Sequence, residues 1–340
     1  MKTFKIGGIH PDDIKLSKDV PVEFAGIPEK VYIPLSQHIG APAVPIVKKG
    51  DRVKVGDLLA KGEAFVSANI HSSVSGVVEK LDFCPDVMGF QTPCVIINVE
   101  GDEWNESIDR SDTLLKDITL SPSEIIAKIK DLGIVGLGGA AFPTHVKVSI
   151  PEGKKADYLL INAVECEPYL TADHRMMLEK PDELLMGTKI LMHVLGVKTA
   201  VIGIEVNKPN AIETISNKAK EYEGISVAPL QVKYPQGSEK QLIKAITGRE
   251  VPSGKLPIDI GCVVNNSGST FATYEAIQKN KPLFERIVTV TGKNVKKPSN
   301  FLVRIGTPIS YLLDKVDVDM NTIGKVISGG PMMGKAMPNI

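Results

Sequence analysis

The sequence predicts a multi-domain α/β chain, and three observations predict it. A Gly- and Pro-punctuated stretch rich in Val and Ile comes first, strand-like and helix-like segments then alternate, and a smaller α+β unit follows. At 340 residues the chain is long enough for two to three domains of about 100–200 residues each. Its 40 basic and 40 acidic residues cancel, so it carries no electrostatic footprint for nucleic acid or an anionic membrane. The longest apolar runs, 158–164 and 199–206, are strand-sized, far short of the roughly 20 residues of a spanning helix. The opening Met1-Lys2-Thr3-Phe4-Lys5 lacks the apolar stretch of a secretory signal. A soluble, cytoplasmic chain is expected.

Residues 29–80 read as short strands joined by tight turns. Within 47–59 the pattern is strand, Gly50-Asp51 turn, strand, and 72–78 is a further short strand, which together describe a small β-sandwich or flattened barrel. The stretch also resembles biotinyl and lipoyl carrier domains. At the hairpin tip, Glu63-Ala64-Phe65-Val66-Ser67, the position of the modified lysine is Val66. A valine side chain cannot form the amide bond, so the fold is expected without the carrier chemistry. Four cysteines (Cys84, Cys94, Cys166, Cys262) stand singly with no zinc or iron–sulfur spacing. They read as buried or free thiols, with a Cys84–Cys94 bridge across a hairpin as the alternative.

The acidic, polar residues 101–120 read as a linker. Ser121-Pro122-Ser123-Glu124 then opens a helix with a Ser cap, a first-turn Pro and a Glu able to reach back. Ile125, Ile126, Ile129 and Leu132 form its stripe and Gly133 ends it. Strands at 157–164, 199–206, 225–232 and 261–265 alternate with helices at 181–195, 208–222, 237–247 and 270–279. That alternation predicts a mostly parallel, helix-covered sheet. Strands at 286–292 and 301–306 begin the third unit, which runs to about 328. The Gly-rich tail from 329 is flexible in composition, and its ending reads as a cut.

The densest glycine cluster, Gly133-Ile134-Val135-Gly136-Leu137-Gly138-Gly139-Ala140-Ala141-Phe142-Pro143, lets the backbone approach a phosphate or a flat ring, since no Cβ stands in the way. Gly136, Gly138 and Ala141 match G-x-G-x-x-A formally, with Asp157 downstream. However, the cluster follows a helix and runs into Phe142-Pro143, the wrong context for a dinucleotide turn. Polar residues gather at the carboxyl ends of two predicted strands, Asn162 to Pro168 and Asn265 to Ser269. Ligands of open α/β sheets bind outside those ends. Gly268-Ser269-Thr270 would present a helix start to a phosphate, although Asn, Ser and Gly also serve as plain caps and turns. No G-x-S-x-G, H-E-x-x-H or P-loop motif is present, and the six histidines are scattered.

These segments resemble a known family. Gly136-Leu137-Gly138-Gly139-Ala140-Ala141-Phe142-Pro143-Thr144-His145-Val146-Lys147 is similar to the glycine loop of the flavin subunit of respiratory complex I. Asn162-Ala163-Val164-Glu165-Cys166-Glu167-Pro168, the run from Tyr234 to Leu242, and Asn265-Asn266 are similar to three further segments of it. The whole chain resembles more closely the RnfC family of the Rnf-type ion-translocating ferredoxin:NAD+ oxidoreductases. Gly7-Gly8-Ile9-His10-Pro11 and Gly329-Gly330-Pro331-Met332-Met333-Gly334 support this.

The resemblance implies a barrel-sandwich hybrid domain over 1–110, a Rossmann-like FMN- and NADH-binding α/β domain over 111–283, a β-grasp domain over 284–328 and a tail over 329–340. It implies FMN contacts at Gly136, Gly138, Gly139, Lys147, Asn162, Glu165, Gly237, Ser238, Glu239, Asn265, Asn266 and Ser269. Phe142 would stack on the nicotinamide nucleotide and Glu167 would bond it. Two [4Fe–4S] clusters are expected only in a segment beyond this chain, no metal site or catalytic acid or base within it, and membrane subunits of the complex as partners on the cytoplasmic side of the membrane. Departures from the complex I pattern fall at Leu137, Val164, Ser238 and Ser269. The competing reading is a scaffold subunit that holds no flavin.

Overall fold

The computed structural model describes residues 1–338. β1 (Val22–Phe24) precedes the Val- and Ile-rich stretch, which then forms two small sheets. Strands β2 (Lys30–Pro34), β3 (Val44–Pro45), β4 (Arg52–Val53), β5 (Leu58–Lys61), β6 (Ile70–His71), β7 (Gly76–Pro85) and β8 (Gln91–Val99) pair in the orders β2-β8-β7-β4 and β3-β5-β6. Val31, Ile33, Leu59, Val74, Val78 and Ile97 form the shared core. Gly50 takes φ +89°, and the Asp51 carboxylate accepts the Lys48 N–H, which fixes the turn expected there. Val66 lies in the bend between β5 and β6, where a carrier would place its lysine. The long β7–β8 hairpin carries a Cys84–Cys94 disulfide. Only Cys166 and Cys262 are therefore the free thiols expected of all four.

Residues 101–120 form no regular element, yet they are packed. Trp104 meets Phe284 edge to face at 5.2 Å, Ile108 is buried, and Asp109 pairs with Lys279 at 2.8 Å. α1 (Pro122–Asp131) has the predicted box: the Ser121 hydroxyl accepts the Glu124 N–H, and the Glu124 carboxylate accepts the Ser121 N–H. The chain continues through α2 (Thr144–Val148), β9 (Tyr158–Asn162), α3 (Ala172–Glu179), α4 (Pro181–Leu195), β10 (Ala200–Glu205), α5 (Pro209–Ala219), β11 (Ile225–Leu230), α6 (Glu239–Thr247), β12 (Cys262–Asn266) and α7 (Ser267–Lys279).

The four strands are all parallel, in the order β11-β10-β9-β12. Side chains alternate across the sheet. Leu159 and Ile161 face the core built with α1, α4, α5 and α7, while Leu160 and Val264 face α6. This is the doubly wound arrangement, in which the order reverses between β9 and its neighbour β12, and that reversal opens a crevice at the strands' carboxyl ends.

β13 (Glu285–Val290) and β14 (Ser299–Arg304) are antiparallel, and β1 adds to β14 in parallel. With α8 (Ile309–Leu313) they form the small third unit. The first residues of the chain therefore leave the sandwich: β1 joins this sheet, Lys2 bridges Leu230, and Ile9 bridges Tyr234. Arg304 is 2% exposed and ties the parts together, bonding Ser73 O and the Asp102 carboxylate. The tail expected to be loose is a hairpin of β15 (Ile327–Ser328) and β16 (Lys335–Ala336), tightened by the Gly334 N–H bond to Gly330 O. Its last residues, 339–340, lie outside the described residues. Among the described residues no helix is long and apolar enough to cross a membrane.

Candidate cofactor site

The glycine loop closes on itself through the Gly136 N–H bond to Phe142 O, with Ala141 at φ +50°. It lies against the start of α7. The Leu137 N–H donates to Ser269 Oγ at 2.9 Å, and a Cβ on Gly138 would stand 2.5 Å from Asn266 Nδ2. Only glycine allows that approach. Gly139 has nothing within 4 Å of its Cβ position and faces open space.

Asn266 is the hub. Its Oδ1 accepts the Gly268 and Ser269 N–H groups as the α7 cap, and its Nδ2 donates to the Asp173 carboxylate at 3.1 Å and to Asn162 O at 3.4 Å. Asn162 Nδ2 donates to Gly237 O at 2.7 Å, which links β9 to the loop before α6. The Ser238 side chain makes no cap bond at the α6 start, and Lys147 Nζ pairs with Glu239 there at 3.2 Å. An open helix start beside a lysine is a site of positive potential.

The loop from Ala163 to Leu170 is strained and strapped. Glu165 and Tyr169 take φ +48° and +70°, left-handed conformations that cost about 1–3 kcal/mol each in a non-Gly residue. Lys15 Nζ donates to the carbonyls of Glu165, Glu167 and Leu170, and Lys208 Nζ donates to Val164 O at 2.8 Å. Burial lowers the Lys15 pKa. Burial raises that of Glu205, the carboxylate 3.7 Å from Lys208.

Asp173 lies half-buried in the crevice. Removal from water, and then the nearby Glu165 carboxylate, push its pKa from 3.8 up to about 6. A carboxyl whose folded pKa is raised costs stability as pH climbs from its unfolded value through its folded value. Asp173→Asn is therefore expected to raise the thermal midpoint above about pH 6 and leave it unchanged near pH 4, read by circular dichroism melts at both pH values. An equal shift at both would mean that the charge is not the cause.

The crevice thus brings together Gly136, Gly138, Gly139, Lys147, Asn162, Gly237, Ser238, Glu239 and Asn266, with half-buried Phe142 closing the glycine loop. Four expected contacts are engaged elsewhere. Asn265 is turned inward and donates to Thr270 Oγ1, and Ser269 is fully buried beneath Leu137. The Glu165 carboxylate accepts the Asp173 and His174 N–H groups at the start of α3. Glu167 accepts the N–H groups of Met332 and Met333 from the tail hairpin. The start of α7 is satisfied by Asn266, so the phosphate-facing helix start is that of α6 rather than the Gly268-Ser269-Thr270 stretch. Sequence reasoning missed Lys15, Asp173, Lys208 and Arg286, whose Nη2 donates to Leu137 O at 2.9 Å. A signal existed only for Asp173, an acid in a helical first turn just past the polar strand end. The crevice fits a flat heterocycle with a phosphate: a side-chain-free shelf at Gly138 and Gly139, amides beneath it and a positive end.

Residues 2–102 match the RnfC barrel sandwich hybrid domain, 129–275 the Nuo51 FMN-binding domain, and 287–316 the SLBB domain. The chain is 48% identical over its full length to the RnfC protein of the proton-translocating ferredoxin:NAD(+) oxidoreductase complex of Clostridium ljungdahlii, covering 74% of that protein. The chain belongs to the RnfC family. Across 98% of its length it is also 46% identical to the corresponding protein of the Na(+)-translocating ferredoxin:NAD(+) oxidoreductase complex of Acetobacterium woodii, again over 74% of the relative. An RnfC-type chain is thus multi-domain α/β, with a barrel-sandwich hybrid followed by an FMN-binding domain. A solved NAD+-reducing [NiFe]-hydrogenase in the air-oxidized state has the same fold over 58% of this chain and 39% of its own, with TM-score 0.50 and 22% identity.

Proposed function

We propose that this chain carries electrons between a nicotinamide dinucleotide and iron–sulfur centres, as the RnfC component of an ion-translocating ferredoxin:NAD+ oxidoreductase complex, with FMN held at the β9/β12 crevice. The observation that carries this reading is the convergence of Gly138, Asn162, Gly237 and Asn266 through direct contacts. When bound, FMN supplies the conversion between a two-electron carrier and one-electron carriers. The chain's residues supply position and charge. Gly138 and Gly139 keep side chains off the shelf, Asn162 and Asn266 orient the ring edge, and Lys147 with the α6 start offsets the phosphate. Phe142 flanks the nicotinamide, and Glu167 borders it while fixing the tail hairpin.

The two [4Fe–4S] clusters belong to a segment beyond this chain, and the complex places the chain peripherally on the cytoplasmic face beside its membrane subunits. The domain limits near 110, 283 and 328 are part of the proposal, with the third unit a β-grasp of the soluble-ligand-binding type. Residues 2–24 are the exception, since they pack on the central and third units.

Lys147→Ala tests the placement of the phosphate. FMN affinity is expected to fall about tenfold, while riboflavin, which lacks the phosphate, is bound as before. Fluorescence-quenching titrations with both ligands read this out. An equal loss for both, or no loss for FMN, would place the phosphate elsewhere.

A further inference from the structure

We propose that Arg286 is a recognition residue for the pyrophosphate of the nicotinamide dinucleotide, delivered to the crevice by β13 of the third unit. The inference rests on the proposed redox function and extends it to the second ligand. Successive residues of β13 point to opposite sides. Glu285 turns inward and is 8% exposed, in ion pairs with Lys281 and Arg304. Arg286 is exposed and reaches the glycine loop, where Nη2 donates to Leu137 O beside Gly138 and Gly139. A guanidinium has five N–H donors, and among the described residues the hydrogen bond to Leu137 O uses one of them.

The charges around Arg286 fit this role. Asp173 of α3 faces it, with Glu165 close behind that carboxylate. The pair holds the guanidinium over the crevice without spending its outer donors on a buried network. Lys147 lies at the other end of the contact chain that runs Leu137, Asn266, Asn162, Gly237, Glu239. Lys147 answers one phosphate, that of FMN, and a dinucleotide bringing two more negative groups needs a second cation. Arginine presents paired donors that match phosphate oxygens, which lysine does not.

The test uses the full chain loaded with FMN. Arg286→Ala is expected to weaken NADH binding about 10- to 100-fold and to change FMN affinity less than about twofold, with Arg286→Lys recovering part of the loss. Because the alanine also removes the bond to Leu137 O, Arg286→Gln, which keeps one donor, is titrated in parallel. Inorganic pyrophosphate competing with NADH on the unaltered chain supports the proposal without any variant. Unchanged NADH affinity in the Ala and Gln variants overturns it, as does a loss shared equally by FMN, or no competition by pyrophosphate. If the chain takes up no FMN the redox reading fails separately, and the same NADH titrations on the flavin-free chain still decide the role of Arg286.

Discussion

Gly138→Val is expected to lower FMN affinity by about 100-fold or more, equivalent to about 3 kcal/mol, with the fold otherwise kept. A Cβ at this position would stand 2.5 Å from Asn266 Nδ2 and 2.8 Å from its Cγ. One of the two must then move. If Asn266 moves, it gives up its bonds to Asp173 and to the α7 start. If the loop moves, the shelf closes or lifts away from Asn162. Either way the crevice loses the flat surface on which the ring would lie. Gly139→Ala is the control, since its Cβ would meet nothing within 4 Å. Fluorescence titration with FMN and a far-ultraviolet dichroism spectrum of each variant separate lost binding from lost folding. Normal FMN uptake by Gly138→Val would show that the ring lies elsewhere.

The second large effect is on stability. Lys208→Met is expected to cost about 3–5 kcal/mol, because it strands Glu205, which is 1% exposed, without its nearest cation. The same change removes the donor to Val164 O and frees the loop that carries Glu165 and Glu167. Urea unfolding followed by dichroism measures the loss. Adding Glu205→Gln should return part of it, since the amide oxygen can still accept the Lys233 N–H that Glu205 now holds. A cost below about 1 kcal/mol would mean that the pair is not a strut of the site.

Local signals and distant contacts divide what could be read in advance. The capping box at Ser121 and the helix over 181–195 follow from neighbours in sequence, and both stand where expected. The alternation of strands and helices predicts a parallel sheet, and the sheet is parallel. Strand order is another matter, because it depends on which way each crossover turns. That order is what brings Asn162 beside Asn266, so the crevice itself was legible only through the resemblance. α3 went unread because its polar surface leaves a weak stripe, and Asp173 went with it. Lys15, Lys208 and Arg286 act on the site from 150, 44 and 149 residues away in the chain. Nothing in their own surroundings marks a lysine or arginine as a strut or an anchor. The glycine-rich tail reads as loose for a related reason: its turn is held by the Glu167 carboxylate, a partner 165 residues earlier.

One measurement bears on the redox assignment directly. The purified chain is incubated with FMN, passed through gel filtration, and its visible spectrum is taken before and after NADH is added without oxygen. A crevice of the proposed kind retains the flavin colour through the column, and NADH then bleaches it. A protein fraction that emerges colourless, or a retained flavin whose spectrum NADH leaves unaltered, contradicts the account.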